Sequence, residues 1–315
     1  MTMDQRIKTA AVCVCTSGAR TALLNACLIS LINQELPDDY SMLILIIDNS
    51  LEGDVKSKVK NAEIIDDKLL FCRESCQGIP FARNAAIREA VALNVDYIAF
   101  IDDDEIAPPN WLFRLISGIN ANEADVIVGE VSRCENQEEA VLAAYSYCAT
   151  SELSNLPQVN TAVTSNVLFN AGLVKDPLNL DFDENMVFGG SDREFFMRAI
   201  LAGSKIVSAK SEFVFETWPA ERREIKYLLM RWLRYGVSFN YRYRKNLHPA
   251  KAYTLIWLMF FYKLLGAPVK LVMLPVRRIW DKRSIRRLIG VSVADIAYGL
   301  GCIAPLVGIQ LNKYY

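Results

Sequence analysis

Four consecutive acids, Asp102-Asp103-Asp104-Glu105, follow directly on the apolar run Tyr97-Ile98-Ala99-Phe100-Ile101. Like charges this close repel unless solvent or a cation separates them, and hard carboxylate oxygens suit Mg²⁺ or Mn²⁺ that also holds phosphate. The apolar run reads as a strand buried on both faces. The acids then stand at its C-terminal end, the edge where open α/β sheets bind ligands. A capped turn ahead of Pro108-Pro109 explains the same residues without chemistry, so the run alone does not decide. Further polar groups end the other apolar runs. Asp48 follows Leu43-Ile44-Leu45-Ile46-Ile47, and Thr16 and Arg20 follow Ala11-Val12-Cys13-Val14. Together they can hydrogen-bond a base or ribose, although a plain turn aspartate accounts for Asp48 equally well. Arg83, early in a helix that starts after Gly78, can face a diphosphate or solvent.

The elements that place these groups follow from periodicity. Leu23, Leu24, Cys27, Leu28, Leu31 and Ile32 recur at helical spacing down to Gln34, and Pro37-Asp38-Asp39 stops the helix. Strand, helix and strand, each strand closing on a polar residue, predict a right-handed βαβ unit. No G-x-G-x-x-G follows the first strand, so the dinucleotide fingerprint is missing. Asp125 to Val131 predicts another strand, and a polar stretch from Cys134 to about Val159 is of the kind that builds acceptor pockets. Ser165 to Asn170 returns to the core. Gly189-Gly190-Ser191-Asp192-Arg193-Glu194 opens a helix that buries Phe195, Phe196, Ala199 and Ile200. Ser191 with Glu194 fits a capping box, and Asp192 suits the helix dipole.

With 315 residues the chain is long enough for one large domain or two. Its formal net charge of -1 hides a split. Residues 222–315 hold 18 of the 35 Lys and Arg but 3 of the 36 acids, leaving 17 basic and 33 acidic residues before them. A basic tail interleaved with apolar residues points to a membrane surface rather than nucleic acid. The eight cysteines are scattered, mostly in apolar segments, and Cys72 and Cys76 lack a second pair at zinc spacing. The polar start Met1-Thr2-Met3-Asp4-Gln5-Arg6 has no apolar signal-type segment, so the head is expected inside the cell. One histidine, His248, precedes Pro249 in a basic loop, which points away from Ser-His-Asp or Cys-His catalysis.

In the tail, Ile225, Leu228, Leu229, Trp232, Leu233 and Gly236 form one helical face and Arg223, Lys226, Arg231 and Arg234 the other. Tyr253 to Val276 is apolar but interrupted by Lys263, Gly266, Pro268, Lys270 and Pro275; Leu288 to Leu311 is interrupted by Asp295 and Pro305. Neither supplies the ~20 unbroken apolar residues of a spanning helix. Helices lying in the interface are expected, with Trp257, Tyr262 and Trp280 at headgroup level. One or two spans are the alternative.

The ordered motifs Thr16 to Arg20, Asp48, Gly78-Ile79-Pro80-Phe81-Ala82-Arg83-Asn84, Phe100 to Asp104 with Pro109-Asn110-Trp111-Leu112, and Gly189-Gly190-Ser191-Asp192 resemble those of family 2 glycosyltransferases over roughly residues 8–218. The resemblance implies a GT-A fold, an α/β Rossmann-like domain with a mostly parallel central sheet flanked by helices. This domain would span residues 1–218 and a helical membrane-associating region residues 219–315. It implies a nucleoside-diphosphate sugar donor, of UDP or dTDP, and inversion at the anomeric carbon. By position, Asp102 lies near the ribose and Asp104 ligates Mn²⁺ or Mg²⁺ with Asp102. Thr16, Arg20, Asp48, Arg83 and Asp103 line the donor nucleotide, and Asp192 is the general base. Three departures stand out: Gly18-Ala19 replaces the usual Tyr-Asn, Ser191 replaces the usual Glu, and Glu216 stands where a histidine often sits, as a candidate third metal ligand. The expected enzyme is a hexosyltransferase of polysaccharide biosynthesis at the cytoplasmic face of the membrane, with a glycan or lipid-linked acceptor. A nucleotidyltransferase of similar fold would need a Gly- and Lys-rich phosphate loop that Thr16 to Arg20 does not supply. A non-catalytic, membrane-bound nucleotide-sugar-binding module is the other rival.

Overall fold

The computed structural model describes residues 6–61, 64, 66–272 and 282–309. The chain divides into two compact units, Met1–Glu184 with Asp192–Trp218, and Asn185–Ser191 with Pro219–Tyr315.

One eight-stranded sheet organises the first unit. Its strands are β1 (Lys8–Thr16), β2 (Tyr40–Asp48), β3 (Leu69–Arg73), β4 (Tyr97–Asp102), β5 (Glu105–Ile106), β6 (Val126–Cys134), β7 (Val167–Asn170) and β8 (Ile206–Thr217). They lie in the order β3-β2-β1-β4-β7-β6-β8-β5. β7 is antiparallel to β4 and β6, and β5 to β8, while every other neighbouring pair is parallel. All strands but β5 and β7 therefore point one way, as the mostly parallel expectation requires.

Alternate residues of the central strands serve opposite faces. Val12, Val14, Ile44, Ile46, Ala99 and Ile101 pack with α1 (Thr21–Ile32) and α4 (Trp111–Ala121), through Leu24, Leu28, Trp111 and Leu115. On the other face, Cys13, Leu45, Ile47, Ile98 and Phe100 meet Ala82, Ala85 and Ala86 of α3 (Ile79–Ala92) and Phe195 and Phe196 of α6 (Ser191–Leu201). Both layers are apolar, so the strands read as unbroken hydrophobic runs. Each fully buried Leu, Ile or Phe contributes about 1.5–3 kcal/mol. The core therefore fixes where the polar strand ends must stand.

β1 and β2 are longer than their apolar cores suggest, because their ladder continues from Lys8↔Tyr40 to Thr16↔Asp48. Elements outside the sequence expectations include α2 (Val55–Asn61), β3 at the sheet edge, α4, β5, β8, and α5 (Gln137–Ser146) within the polar stretch after Cys134. Asn136 caps α5, its Oδ1 accepting from the Glu139 amide at 2.9 Å.

The chain leaves β1 for β2 on one side and returns to β4 on the other, which makes the β1/β4 junction a topological switch point. Thr16 is in register with Asp48, and Cys15 with Asp102. Three polar strand ends thus line one stretch of the carboxyl edge.

The second unit contains α7 (Ile225–Asn246), α8 (Pro249–Val272) and α9 (Lys282–Ile303). The amphipathic pattern seen over residues 225–236 continues as helix to Asn246. Gly236 and Gly301 let α7 and α9 touch: a Cβ on Gly301 would lie 2.0 Å from the Leu233 carbonyl oxygen, and one on Gly236 2.1 Å from that of Tyr298. Lys263 Nζ lies 2.7 Å from Asp295 Oδ1, so two charges that interrupt the apolar segments pair across α8 and α9. Among the described residues one stretch, Gly290–Val307, is long and apolar enough to cross a membrane, and 44% of it is buried within the protein. Pro275, Val276, Trp280 and Leu311 lie outside the described residues.

Candidate active site

At the switch point, the β1–α1 turn and the acidic run are knitted together. Thr16 Oγ1 donates to Asp103 Oδ2 at 2.6 Å and accepts from the Gly18 amide at 3.1 Å. Arg20 reaches the same run with both terminal nitrogens, one on Asp103 and one on Asp104. Both carboxylates are buried, whereas a third of the Arg20 side chain is exposed. The run is therefore not simply solvated: one guanidinium bonds two of its four carboxyl groups. The Asp104 carbonyl also accepts from the Thr217 amide at 3.0 Å, which ties the run to the end of β8.

Asp102 is the acid of the run that opens to solvent. Its inner side is hemmed in by protein. That burial, with the nearby Asp104, Asp103 and Glu216 carboxylates, pushes it up to about 7 against the pull of Arg83. Glu105 is buried, and its Oε2 accepts from the Asp102 amide at 2.9 Å. Burial, then the Asp102 charge, raise it well above the usual carboxylate range. Glu216 stands opposite Glu105 in the β5–β8 ladder and pairs with Arg133 at 3.5 Å; Arg133 in turn lies over the Trp218 ring, 4.1 Å from its centroid. Cys15, next to Asp102, is no nucleophile, because burial pushes its thiol up to about 12.

Asp48 sits in register beside Thr16 but has its own partners. Its Oδ1 accepts from the Ser50 amide at 2.9 Å, the Ser50 hydroxyl at 2.6 Å and Arg73 at 3.0 Å, and its Oδ2 from the Val55 amide at 3.2 Å. These bonds fit a turn-forming aspartate. Arg83 stacks over the Phe182 ring, 5.5 Å from its centroid. Beside it, the Asn84 amide bonds both backbone groups of Phe182 and Glu184 Oε1, pinning the segment that leads toward α6.

Asp192 lies in the first turn of α6, half-buried, its Oδ1 accepting from the Arg193 amide at 2.7 Å. Among the described residues, no hydrogen bond or ion pair joins it to the acidic run. Glu194 is fully buried and paired with Arg198 at 2.8 Å.

The structure thus gathers Thr16, Arg20, Asp102, Asp103, Asp104, Arg83 and Glu216 around the switch point, and sets Asp48 beside them and Asp192 on a separate element. Arg73, which binds Asp48, was missed in the sequence because β3 was not recognised. Asn49, whose Oδ1 takes the Gly78 amide at 3.0 Å, escaped notice as a turn residue.

Among the described residues, no group of three or more His, Cys, Asp or Glu side chains converges on one point as a ready-made cage. Divalent ions on nucleotides rarely need one: one or two carboxylates and the phosphates complete the shell. Solvent-facing Asp102 offers one such carboxylate, whereas Asp104 is engaged by Arg20 and Glu216 by Arg133.

A family model described as glycosyl transferase family 2 matches residues 11–173. The chain is 26% identical to the succinoglycan biosynthesis protein ExoM of Rhizobium meliloti (strain 1021) over 215 residues, 66% of this chain and 67% of that one. Among solved structures, it is similar to the mannosyltransferase PcManGT from Pyrobaculum calidifontis in complex with GDP-Man and Mn²⁺, with a TM-score of 0.64 at 15% identity over 93% of this chain and 86% of that one. It is also similar to S. aureus TarS 1-349 in complex with UDP-GlcNAc, with a TM-score of 0.53 at 14% identity over 97% and 93%. At these identities the structural likeness establishes the fold, that of the GT-A glycosyltransferases.

Proposed function

The chain belongs to glycosyl transferase family 2, and from that premise we propose that it is an inverting transferase moving a sugar from a UDP- or dTDP-linked donor to a hydroxyl of a lipid-linked or cell-surface glycan. That it is a glycosyltransferase follows from the family and the relatives; donor, acceptor and stereochemistry are the proposal. The observation that carries it is the crowded acidic run at the β1/β4 switch point, with Asp102 open to solvent and Arg83 close by.

In this reading the nucleotide lies along the carboxyl edge. Asp48 and Thr16 take the base side, Asp102 the ribose, and Arg83 the diphosphate. Asp103 and Arg20 brace the turn. Asp102 and Asp104, with Glu216 behind them, would hold Mn²⁺ or Mg²⁺, which when bound offsets negative charge on the departing diphosphate. Asp192 takes the proton of the acceptor hydroxyl as its oxygen bonds to the anomeric carbon. The carbon–oxygen bond to the diphosphate breaks on the opposite face, so the configuration inverts.

Residues 219–315 hold the enzyme at the cytoplasmic face of the membrane; their basic, apolar composition supports this. Glu216→Ala is expected to weaken the metal dependence of nucleotide binding several-fold, by roughly 1 kcal/mol for one lost ligand among several. Unchanged Mn²⁺ dependence in that variant removes Glu216 from the ligand set.

Turnover is tested by following nucleotide release from UDP-, dTDP- and GDP-sugars, with and without a lipid extract. Release that the extract stimulates supports transfer to a lipid-linked acceptor. Nucleotide binding without release from any donor favours the non-catalytic module instead.

A further inference from the structure

The described part of α8 carries an apolar stripe that the other described residues leave uncovered. Tyr253, Trp257, Leu258, Phe261, Tyr262 and Leu265 are all exposed, Leu258 at 59% and Tyr262 at 68%. Their spacing of three and four residues places them on one helical face. The one charged residue between Lys251 and Leu265 is Lys263, whose Nζ pairs with Asp295 on α9 and lies 5.7 Å from the Tyr262 ring centroid. Trp257 stacks on Phe261 at 5.9 Å and meets Phe260 edge-on at 5.8 Å, so the aromatic rings pack on one another at the surface.

Basic residues stand at the start of the stripe. Arg244 and Lys245 end α7 and Lys251 lies in the first turn of α8, all three exposed. Arg244 lies over the ring of Tyr253, 5.8 Å from its centroid. An aromatic and aliphatic face beside a cationic corner matches a bilayer whose headgroups carry negative charge, with Trp and Tyr at the depth of the headgroups. A water-facing surface has no use for such a stripe.

We infer that this face of α8 is the surface that docks on an anionic bilayer, lying in the interface with Arg244, Lys245 and Lys251 at the lipid phosphates. The inference rests on the membrane reading above and adds the face and the lipid charge.

Flotation of the full chain with vesicles tests it. Wild-type protein is expected to float with vesicles of equal parts phosphatidylcholine and phosphatidylglycerol, and far less with phosphatidylcholine alone. Leu258→Asp with Phe261→Asp is expected to weaken partitioning by at least about tenfold, since two exposed apolar side chains no longer enter the interface. Lys245→Glu with Lys251→Glu should lose the preference for the anionic lipid. Both variants should keep wild-type UDP binding and melting, which shows that they fold. If wild-type protein floats and the Asp variant floats equally well, the α8 face is overturned while the membrane reading stands. No flotation of wild-type protein overturns both. A concentration-dependent dimer that the Asp variant abolishes, without lipid binding, gives the face to a second copy of this chain and overturns the inference too.

Discussion

Asparagine in place of Asp192 is expected to cut sugar transfer by about 10²–10⁴-fold, the usual contribution of a positioned general base, while leaving nucleotide binding as it is. Asp192 makes no bond to the acidic run among the described residues, and its Oδ1 accepts from the adjacent Arg193 amide. Its removal therefore leaves the donor side intact. The amide keeps the shape and that local bond but takes no proton from an acceptor hydroxyl. Parallel measurement of turnover and of calorimetric nucleotide affinity separates the two effects. A variant that turns over like wild type contradicts the assignment of the base.

The second large effect lies in stability. Arg20→Met leaves Asp103 and Asp104, both 3% exposed, without the guanidinium that pairs with both. Breaking a buried pair by removing one partner costs about 3–5 kcal/mol; with a third of Arg20 in water, about 3 kcal/mol is expected. Arg20→Lys should recover only part of this, because an ammonium is a point charge and cannot span two carboxylates as the planar fork does. Urea unfolding of the three proteins checks it. A methionine variant as stable as wild type would show that solvent, rather than Arg20, carries these charges.

Much of this arrangement was legible in the sequence, and the reason is periodicity. β1, β2 and β4 are buried on both faces, so their apolar runs end sharply where the chain reaches the sheet edge, and Thr16, Asp48 and Asp102 stand at those ends. The order of the motifs along the chain supplied the family. What escaped is long-range. Nothing local says that Arg20 reaches across 84 residues to Asp104, or that Lys263 meets Asp295. Those two charges, read singly, counted against an apolar segment; paired, they cancel. β3 escaped because five residues at a half-buried edge carry too little pattern. Arg73 was lost with it, and with Arg73 the local bonds that hold Asp48. α5 stayed hidden because most of its residues are exposed and only Ala140 and Ala144 are buried.

The glycines of the tail illustrate the same limit. The sequence places Gly236 on one helical face and gives Gly301 no part, yet each lies where another helix's backbone passes too close for a Cβ. Sequence spacing alone cannot pair residues 65 positions apart.

The most direct test of the central claim is calorimetric titration of UDP, dTDP and GDP into the detergent-solubilised protein, with and without Mn²⁺, alongside Asp102→Asn and Asp104→Asn. The account predicts that one uracil or thymine nucleotide binds, that Mn²⁺ strengthens the binding, and that both variants lose this gain. No binding of any nucleotide, or binding that both variants retain in full with Mn²⁺, would mean that the four acids at the end of β4 only form a turn braced by Arg20 and Thr217. The donor site would then have to be sought elsewhere on the sheet.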